Sequence, residues 1–282
     1  MSEYNVKAIR SDGLVFNYDN SNIRVISVEG ADFPDMEVSK EARGFGHGDI
    51  ITGIRKKGRE ITLVAMLTGL TTYRQDRAQI IGFHNANYKY DLEITYLGVK
   101  RIVKDCVLSQ SQYPTERKNV NPKLTLLFES SEADLFADNI DKTSFVTSNP
   151  LWHDTRHYTN GSSLAFGEIL KTTEKVVNYL GSEPTPISII VNATGHVPII
   201  NIELGSNKIT INETLQNGDT LIVDGVTRTA TKNGKPIALN QVTMQTLYKM
   251  WLQYGDNIVK VDAGDNVAFN AEVSYVGRYG GV

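Results

Sequence analysis

Two histidines carry the residue type and spacing that most readily suggest chemistry. His153 and His157 are four residues apart, a spacing at which two imidazoles on one helical face can hold a metal ion. The zincin motif also requires a glutamate directly after the first histidine, but Asp154 occupies that position and no helical pattern surrounds it. We therefore interpret both histidines as surface residues and predict no metal site.

The run Gly44-Phe45-Gly46-His47-Gly48-Asp49 resembles a phosphate-binding loop in composition. A phosphate loop presents successive backbone amides and leads into a helix N-terminus, often through Lys followed by Ser or Thr. This run leads into Ile50-Ile51-Thr52 instead. We interpret its glycines as bends in a β-rich segment and His47 as a surface residue, and we predict no cofactor.

Catalysis by a nucleophile or by paired carboxylates finds little support in the sequence. There is no Gly-x-Ser-x-Gly elbow, and no pair of carboxylates is singled out for glycosidic hydrolysis. Cys106 lies within a strand pattern, Val103 to Leu108, where a buried packing role is expected. His84 falls on the stripe of a predicted helix and is interpreted as partly buried, not as a ligand. We therefore predict no catalytic residue and no enzymatic activity.

Composition narrows the classes of partner. The 282 residues suffice for two ordinary domains or one large β domain, and the single cysteine excludes an intramolecular disulfide. Lys and Arg number 18 against 19 Asp and Glu in residues 1–140, and 11 against 13 in residues 141–282. Neither half is a basic nucleic-acid surface. We also expect no signal peptide and no membrane insertion, because no apolar run is long enough.

Residues 1–140 are predicted to form an α+β domain with one helix on an antiparallel sheet. Arg59 to Leu67 is apolar on both faces and is predicted to be a central strand. A helix follows over residues 72–85, capped by Thr71 or Thr72. The predicted buried stripe of this helix consists of Tyr73, Arg77, Ile80, Ile81 and His84. The further predicted strands are Ile23 to Val28, Tyr90 to Thr95, Lys100 to Ser109 and Pro122 to Glu129. Residues of about 30–59, with many charges and little apolar periodicity, are interpreted as a long exposed arm.

Residues 141–282 are predicted to form a β-sandwich, preceded by a connecting segment of about 141–177. Apolar and polar residues alternate through most of the later runs, as in strands with one buried and one solvated face. Pro184 and Pro186 favour an edge strand, and Asn217-Gly218 predicts a hairpin turn. Between Gln241 and Tyr254 the pattern is ambiguous, and a short helix is one interpretation. A turn is predicted at Gly255-Asp256-Asn257.

Several segments, taken in order, resemble one family. They are Asn178-Tyr179-Leu180-Gly181-Ser182-Glu183-Pro184-Thr185-Pro186-Ile187, Gly218 to Asp224, Asn233-Gly234-Lys235 and Gly255-Asp256-Asn257-Ile258. Their order and spacing resemble the C-terminal domain of siphophage distal tail proteins, most strongly over residues 178–261. The segment Gly58 to Leu63 with the helix after it is similar to the strand and helix of that family's N-terminal domain.

The resemblance implies a mainly β structural protein of the virion tail tip, made and assembled in the bacterial cytoplasm. Six copies would form a ring, with residues 1–140 making the ring and the arm of about 30–59 belting the neighbouring subunit. A galectin-like sandwich, residues 141–282, would face outward. The implied partners are the tail tube protein, a tail-associated lysin or tail hub protein, and receptor-binding or baseplate proteins.

A carbohydrate-binding module contacting host cell-surface glycans is the alternative, because galectin-like sandwiches hold sugars by stacking an aromatic ring on them. Trp152 and Trp251 are the only indoles. Neither lies within the constellation of sugar-binding galectins, so a shared fold does not bring the activity with it.

Overall fold

Alternating apolar residues fold here as antiparallel strands. The computed structural model describes residues 3–68, 73–113, 122–150, 167–171, 173–238, 242, 247–263 and 268–282, with backbone only for 146–150 and 167–171. The chain divides into two compact units. Unit 1 comprises Met1–Asp138 together with Arg278–Val282, and unit 2 comprises Asn139–Gly277. The mainly β fold class predicted from the sequence is confirmed.

Unit 1 contains an 11-residue helix and most of the first ten strands. In chain order these are β1 (Tyr4–Arg10), β2 (Val15–Asn17), β3 (Ile23–Glu29), β4 (Met36–Ala42), β5 (Asp49–Lys56), β6 (Arg59–Leu67), α1 (Tyr73–Phe83), β7 (Lys89–Tyr96), β8 (Val99–Gln112), β9 (Lys123–Ser130) and β10 (Leu135–Ser144), which continues into unit 2.

Strand β8 is long enough to pair with two different strands of unit 1, one along each part of its length. Its first part pairs with β7, which in turn pairs with β1, and β1 pairs with β2. Its second part pairs with β9, which continues to β6 and β3. The expectation that Arg59 to Leu67 is a central strand is confirmed, because β6 lies between β3 and β9. Among the described strands, β4 and β5 pair only with each other.

The buried face of α1 differs from the predicted stripe. Asp76, Ile80 and Phe83 are buried, whereas Ile81 is exposed. A spacing of four and then three residues places the buried three on one side of a helix of 3.6 residues per turn. Burial of the Asp76 carboxylate is compatible with this face because Asn22 Nδ2 donates to its Oδ1 at 3.2 Å. The predicted caps, Thr71 and Thr72, lie outside the described residues.

Unit 2 contains the remaining strands. They are β11 (Val146–Pro150), β12 (Gly167–Lys171), β13 (Glu174–Tyr179), β14 (Thr185–Pro186), β15 (Ser188–Ala193), β16 (Ile200–Leu204), β17 (Asn207–Ile211), β18 (Thr220–Asp224), β19 (Thr229–Lys232), β20 (Lys235–Pro236), β21 (Trp251–Leu252), β22 (Gly255–Asp262) and β23 (Phe269–Tyr279), whose last two residues belong to unit 1.

Two antiparallel layers of unit 2 bury one apolar core. One layer has the order β13-β22-β16-β17, and the other has β23-β15-β18-β19-β20. Residues of both layers meet in a single buried cluster, including Ile202 and Val261 from the first and Val191 and Leu221 from the second. The alternation seen in the sequence is that of two inward faces packed on each other. Unit 2 is therefore a β-sandwich.

The Asn217-Gly218 turn does not close a hairpin, contrary to the sequence-based expectation. Strand β17 before it pairs with β16, and β18 after it pairs with β15 and β19, so the turn carries the chain from one layer to the other. Only Gly218 has positive φ, +90°, whereas a type I′ turn requires it at both central residues. Asn233-Gly234, with φ of 50° and 77°, makes such a turn between β19 and β20.

The structure addresses three further expectations for unit 2, the last of them in part. Pro186 lies in β14, which pairs with β21, and Pro184 directly precedes that strand. Gly255-Asp256-Asn257 begins β22 and is not a separate turn. Of the predicted short helix, residues 241 and 243–246 lie outside the described residues; Leu247 is helical, and Tyr248 and Lys249 form a turn before β21.

Candidate interaction site

The residues first considered for chemistry do not gather into a site. Trp152, His153 and His157 lie outside the described residues. The described residues contain no group of three or more His, Cys, Asp or Glu side chains placed to hold a metal ion. Trp251 is half-buried in β21. The carbohydrate-binding alternative stays a prediction.

The glycine-rich run is the exposed connection between β4 and β5. Gly46 and Gly48 have φ of 95° and 94°, and His47 is exposed, so the glycines serve the turn. The chain then enters a strand, not a helix N-terminus. The interpretation of this run as a bend and not as a phosphate cradle agrees with this geometry.

His84 and Cys106 are buried in unit 1 as packing residues. His84 Nδ1 lies 2.6 Å from the Ile80 carbonyl, which can only accept, so Nδ1 carries the proton and Nε2 accepts from the hydroxyl of Tyr18. Burial lowers the pKa of His84 to about 4. Burial likewise raises the pKa of Cys106 to about 12, so its thiol is protonated and unreactive at neutral pH.

A more informative feature is the hairpin of β4 and β5, here called the arm hairpin. Seven cross-strand residue pairs hold its two strands together, with a β-bulge after Ser39. Nearly all of its residues are exposed, and Phe45 at its tip is fully so. An isolated two-stranded hairpin is at best marginally stable in water, because neither face is covered. Within the described residues of unit 1, the arm hairpin therefore lacks the packing partner that a stable hairpin requires.

One face of the arm hairpin is apolar. Direct cross-strand partners point to the same face, and Val38 lies opposite Ile54 while Lys40 lies opposite Ile51. With Met36, two residues before Val38, they form a row of four aliphatic side chains interrupted by Lys40. Each of the four is at least two-fifths exposed. The opposite face carries Glu37 and Arg55, whose ion pair spans 2.5 Å in solvent.

Arg59 fixes the base of the arm hairpin. Its guanidinium donates five hydrogen bonds to four backbone carbonyls: Gly30 at 2.7 Å, Asp32, Ala133 at 3.0 and 2.8 Å, and Gly280 at 2.7 Å. Gly30 and Asp32 lead into β4, and Arg59 itself follows β5, so one side chain ties both ends of the hairpin to the rest of unit 1. Burial lowers the pKa of Arg59, although the group stays charged.

A second tie lies beside Arg59. The Lys56 ammonium contacts the Asp134 carboxylate at 3.0 Å, and Arg278 contacts the same carboxylate at 3.7 Å. These side chains are mostly buried, so solvent screens the pairs less than it screens the Glu37–Arg55 pair. Phe33, Pro34, Lys57 and Arg59 also line a cavity of about 140 Å³ at this base. The base is therefore fixed, while no described residue of unit 1 buries the strands beyond it.

Sequence reasoning did not identify Arg59 as the anchor of the arm hairpin. Arg59 looked like the first residue of a strand, and nothing in its neighbourhood distinguishes a buried arginine from an exposed one. The available signal was glycine on the segments around it, Gly30 and Gly58, where an added Cβ would strike the carbonyls of Glu60 and Ser130. Such close approach of backbones is what allows one guanidinium to reach several carbonyls.

Comparison with known proteins places the chain among phage tail components. Residues 180–279 match the family described as siphovirus-type tail component, C-terminal domain. No curated protein sequence matches the chain. None of the described helices is long and apolar enough to cross a membrane.

Solved structures share the fold over almost the whole chain. One is the crystal structure of SPP1 Dit, described as a paradigm of the hub adsorption apparatus in phages that infect Gram-positive bacteria; it is 14% identical, with a TM-score of 0.65, over 97% of this chain and 98% of that one. Another belongs to the phage P2 baseplate in its activated conformation with calcium, at 8% identity and a TM-score of 0.50 over 100% of both chains.

The matched domain is that of a structural component of the phage tail. Within that class, the matched residues 180–279 confirm the resemblance to siphophage distal tail proteins seen in the sequence.

Proposed function

We propose that six copies of this chain form a ring at the tail tip, each copy laying its arm hairpin on the next. The observation that carries the proposal is the exposed apolar face of the arm hairpin, defined by Met36, Val38, Ile51 and Ile54, on a base fixed by Arg59. The six-fold number comes from the family resemblance.

Two physical arguments support a contact between copies. Exposed strands and aliphatic rows are aggregation hazards unless they are covered, so their presence favours an intended partner. An arm that leaves one copy and lands on a different surface of the next is a head-to-tail contact, and such contacts close into rings when the rotation permits. Burying the four side chains would stabilise each contact by several kcal/mol, at about 1.5–3 kcal/mol for each fully buried side chain.

The ring acts without enzymatic chemistry. It joins the tail tube protein to a tail-associated lysin or tail hub protein, and to receptor-binding or baseplate proteins. Assembly takes place in the bacterial cytoplasm, and the finished ring resides at the virion tail tip.

Deletion of Asp35 to Arg55 tests the proposal. Light scattering and negative-stain images of the purified chain should show a six-fold ring with six times the mass of the 31.3 kDa chain. The deletion variant should be a folded monomer, because both buried cores lie outside the deleted segment. A deletion variant that still formed the ring would overturn the role of the arm.

A pair of double variants separates the apolar face from the hairpin as a whole. Val38→Thr with Ile54→Thr keeps β-branched residues while removing apolar surface, and it should weaken assembly. Glu37→Thr with Arg55→Thr changes the adjacent cross-strand pair on the opposite face and should leave the ring intact. Equal effects of the two double variants would count against contact through the apolar face.

A further inference from the structure

A second unusual surface of unit 1 lies at the turn between β7 and β8. Leu97 and Gly98 form this two-residue turn with φ of 47° and 84°. Asn233 and Gly234 form the equivalent turn in unit 2 with φ of 50° and 77°. Asn tolerates positive φ because its short polar side chain bonds locally, whereas Leu is strained there. The chain thus contains both the relaxed and the strained version of one turn.

Leu97 is also 72% exposed, so burial within unit 1 does not explain its presence. Beside it, Tyr4, Tyr96 and Val99 are direct partners across β1, β7 and β8 and share one face. The Tyr4 and Tyr96 rings are stacked, with centroids 4.6 Å apart. We call these four residues the tip surface.

The tip surface continues the apolar face of the core. On β1, Tyr4 alternates onto the same face as the buried Val6, and on β7, Tyr96 shares the face of the buried Ile94. At this end of the sheet the buried core of unit 1 thus continues into Tyr4 and Tyr96, whose side chains are only partly buried. Backbone strain and an exposed apolar side chain at one position are observations from which a functional contact is inferred.

We infer that the tip surface is where the arm hairpin of a neighbouring copy lands. This inference rests on the proposed ring. A head-to-tail contact requires two different surfaces of one chain, and Leu97 is the most exposed aliphatic residue among the described residues of unit 1. The charges are complementary, because Lys40 interrupts the apolar face of the arm hairpin and Glu3 flanks Tyr4. The stacked tyrosines supply a rigid aromatic platform of the kind enriched at protein interfaces.

Cross-linking between copies tests the inference. The variant carrying Leu97→Cys and Ile54→Cys is treated with a short bismaleimide, and the native Cys106 stays in place because it is buried. A ladder of covalent multimers up to six chains is expected, because each contact in the ring brings the introduced thiol at position 97 of one copy to that at position 54 of the next. Each single variant is the control and should give no ladder. Light scattering on the same sample measures whether the ring has formed.

The outcomes separate the two proposals. A ring without a ladder overturns the tip surface as the landing site and leaves the ring intact. An unsubstituted chain that stays a monomer in light scattering overturns the ring, and the landing site with it. As a second test, Leu97→Asn relieves the turn, so it should raise the unfolding midpoint while weakening ring association by roughly 10-fold or more. Unchanged association in that variant would also overturn the inference.

Discussion

The guanidinium of Arg59 donates to the carbonyl of Gly280 across 2.7 Å, joining positions 221 residues apart in sequence. The same guanidinium holds Gly30, Asp32 and Ala133. Four carbonyls from three separate segments thus depend on one planar group. A lysine ammonium cannot reach the same set of carbonyls, because its three N–H donors extend from a single nitrogen, whereas the guanidinium spreads its donors over three nitrogens in a plane.

Replacing Arg59 by Lys should therefore lower the free energy of unfolding by about 2–4 kcal/mol, since several buried carbonyls lose their donors. Urea unfolding followed by circular dichroism measures the change. Arg55→Lys, on the exposed Glu37 pair, is the control and should cost less than about 0.5 kcal/mol. Hydrogen exchange at the Lys57 amide, which donates to Asp35 at 2.8 Å, should accelerate only in the Arg59 variant. Equal midpoints for the two variants would contradict the role of Arg59 as an anchor.

Gly30 and Gly13 offer a matched test of close backbone approach. Both have positive φ, 82° and 91°, but a Cβ at Gly30 would overlap the Glu60 carbonyl, whereas one at Gly13 meets open space. Gly13→Ala should cost about 1 kcal/mol from backbone strain alone, and Gly30→Ala about 3 kcal/mol or more. Thermal unfolding of both variants checks the difference. Similar losses of stability in the two variants would mean that the positive φ, and not the close contact with Glu60, explains the requirement for glycine at position 30.

The buried His84 predicts acid sensitivity. Its pKa is about 4 in the folded chain and 6.5 when unperturbed, so between those values the unfolded chain binds a proton that the folded chain does not. The stabilising contribution is complete above pH 6.5 and is lost as the pH falls toward 4, by about 3 kcal/mol in total. Urea midpoints measured from pH 7 to 4 should show this slope, and His84→Phe should flatten it. A slope unchanged in that variant would assign the sensitivity to other groups.

Cys106 predicts a protected thiol. Because burial raises its pKa to about 12, the folded chain at pH 8 should react with a chromogenic disulfide reagent orders of magnitude more slowly than the denatured chain. Absorbance of the released thiolate follows the reaction, and one thiol should appear in denaturant. Rapid labelling of the folded chain would show that unit 1 opens around β8.

Local pattern predicted much of the fold and little of its connectivity. Period-two alternation found the strands of the sandwich because one face is buried and the other solvated. The hairpin prediction at Asn217-Gly218 was wrong because a turn sequence specifies only the local φ values. It does not specify whether the strands before and after the turn pair with each other, and here β17 and β18 belong to different layers. The buried face of α1 includes Asp76, which the predicted stripe omits, because Asn22 donates a hydrogen bond to its carboxylate from the bend before β3.

The interaction surfaces were visible only in part. Few apolar repeats and many charges predict an exposed arm, but the apolar face of the arm hairpin depends on strand register and on the bulge at Ser39, which the sequence does not reveal. Leu97 gave no signal on its own. Its significance lies in its backbone conformation, which requires knowing that Tyr96 and Val99 are paired.

The return of residues 278–282 to unit 1 sets an order of events during synthesis. Residues 1–138 leave the ribosome long before the carbonyl of Gly280 exists, so Arg59 lacks one of its acceptors until unit 2 has been made. A contact of such sequence separation forms late, because closing the loop costs entropy before any bond is gained. We expect the base of the arm hairpin to be fixed last. Nascent chains on neighbouring ribosomes would then have poorly oriented arms, which disfavours premature association.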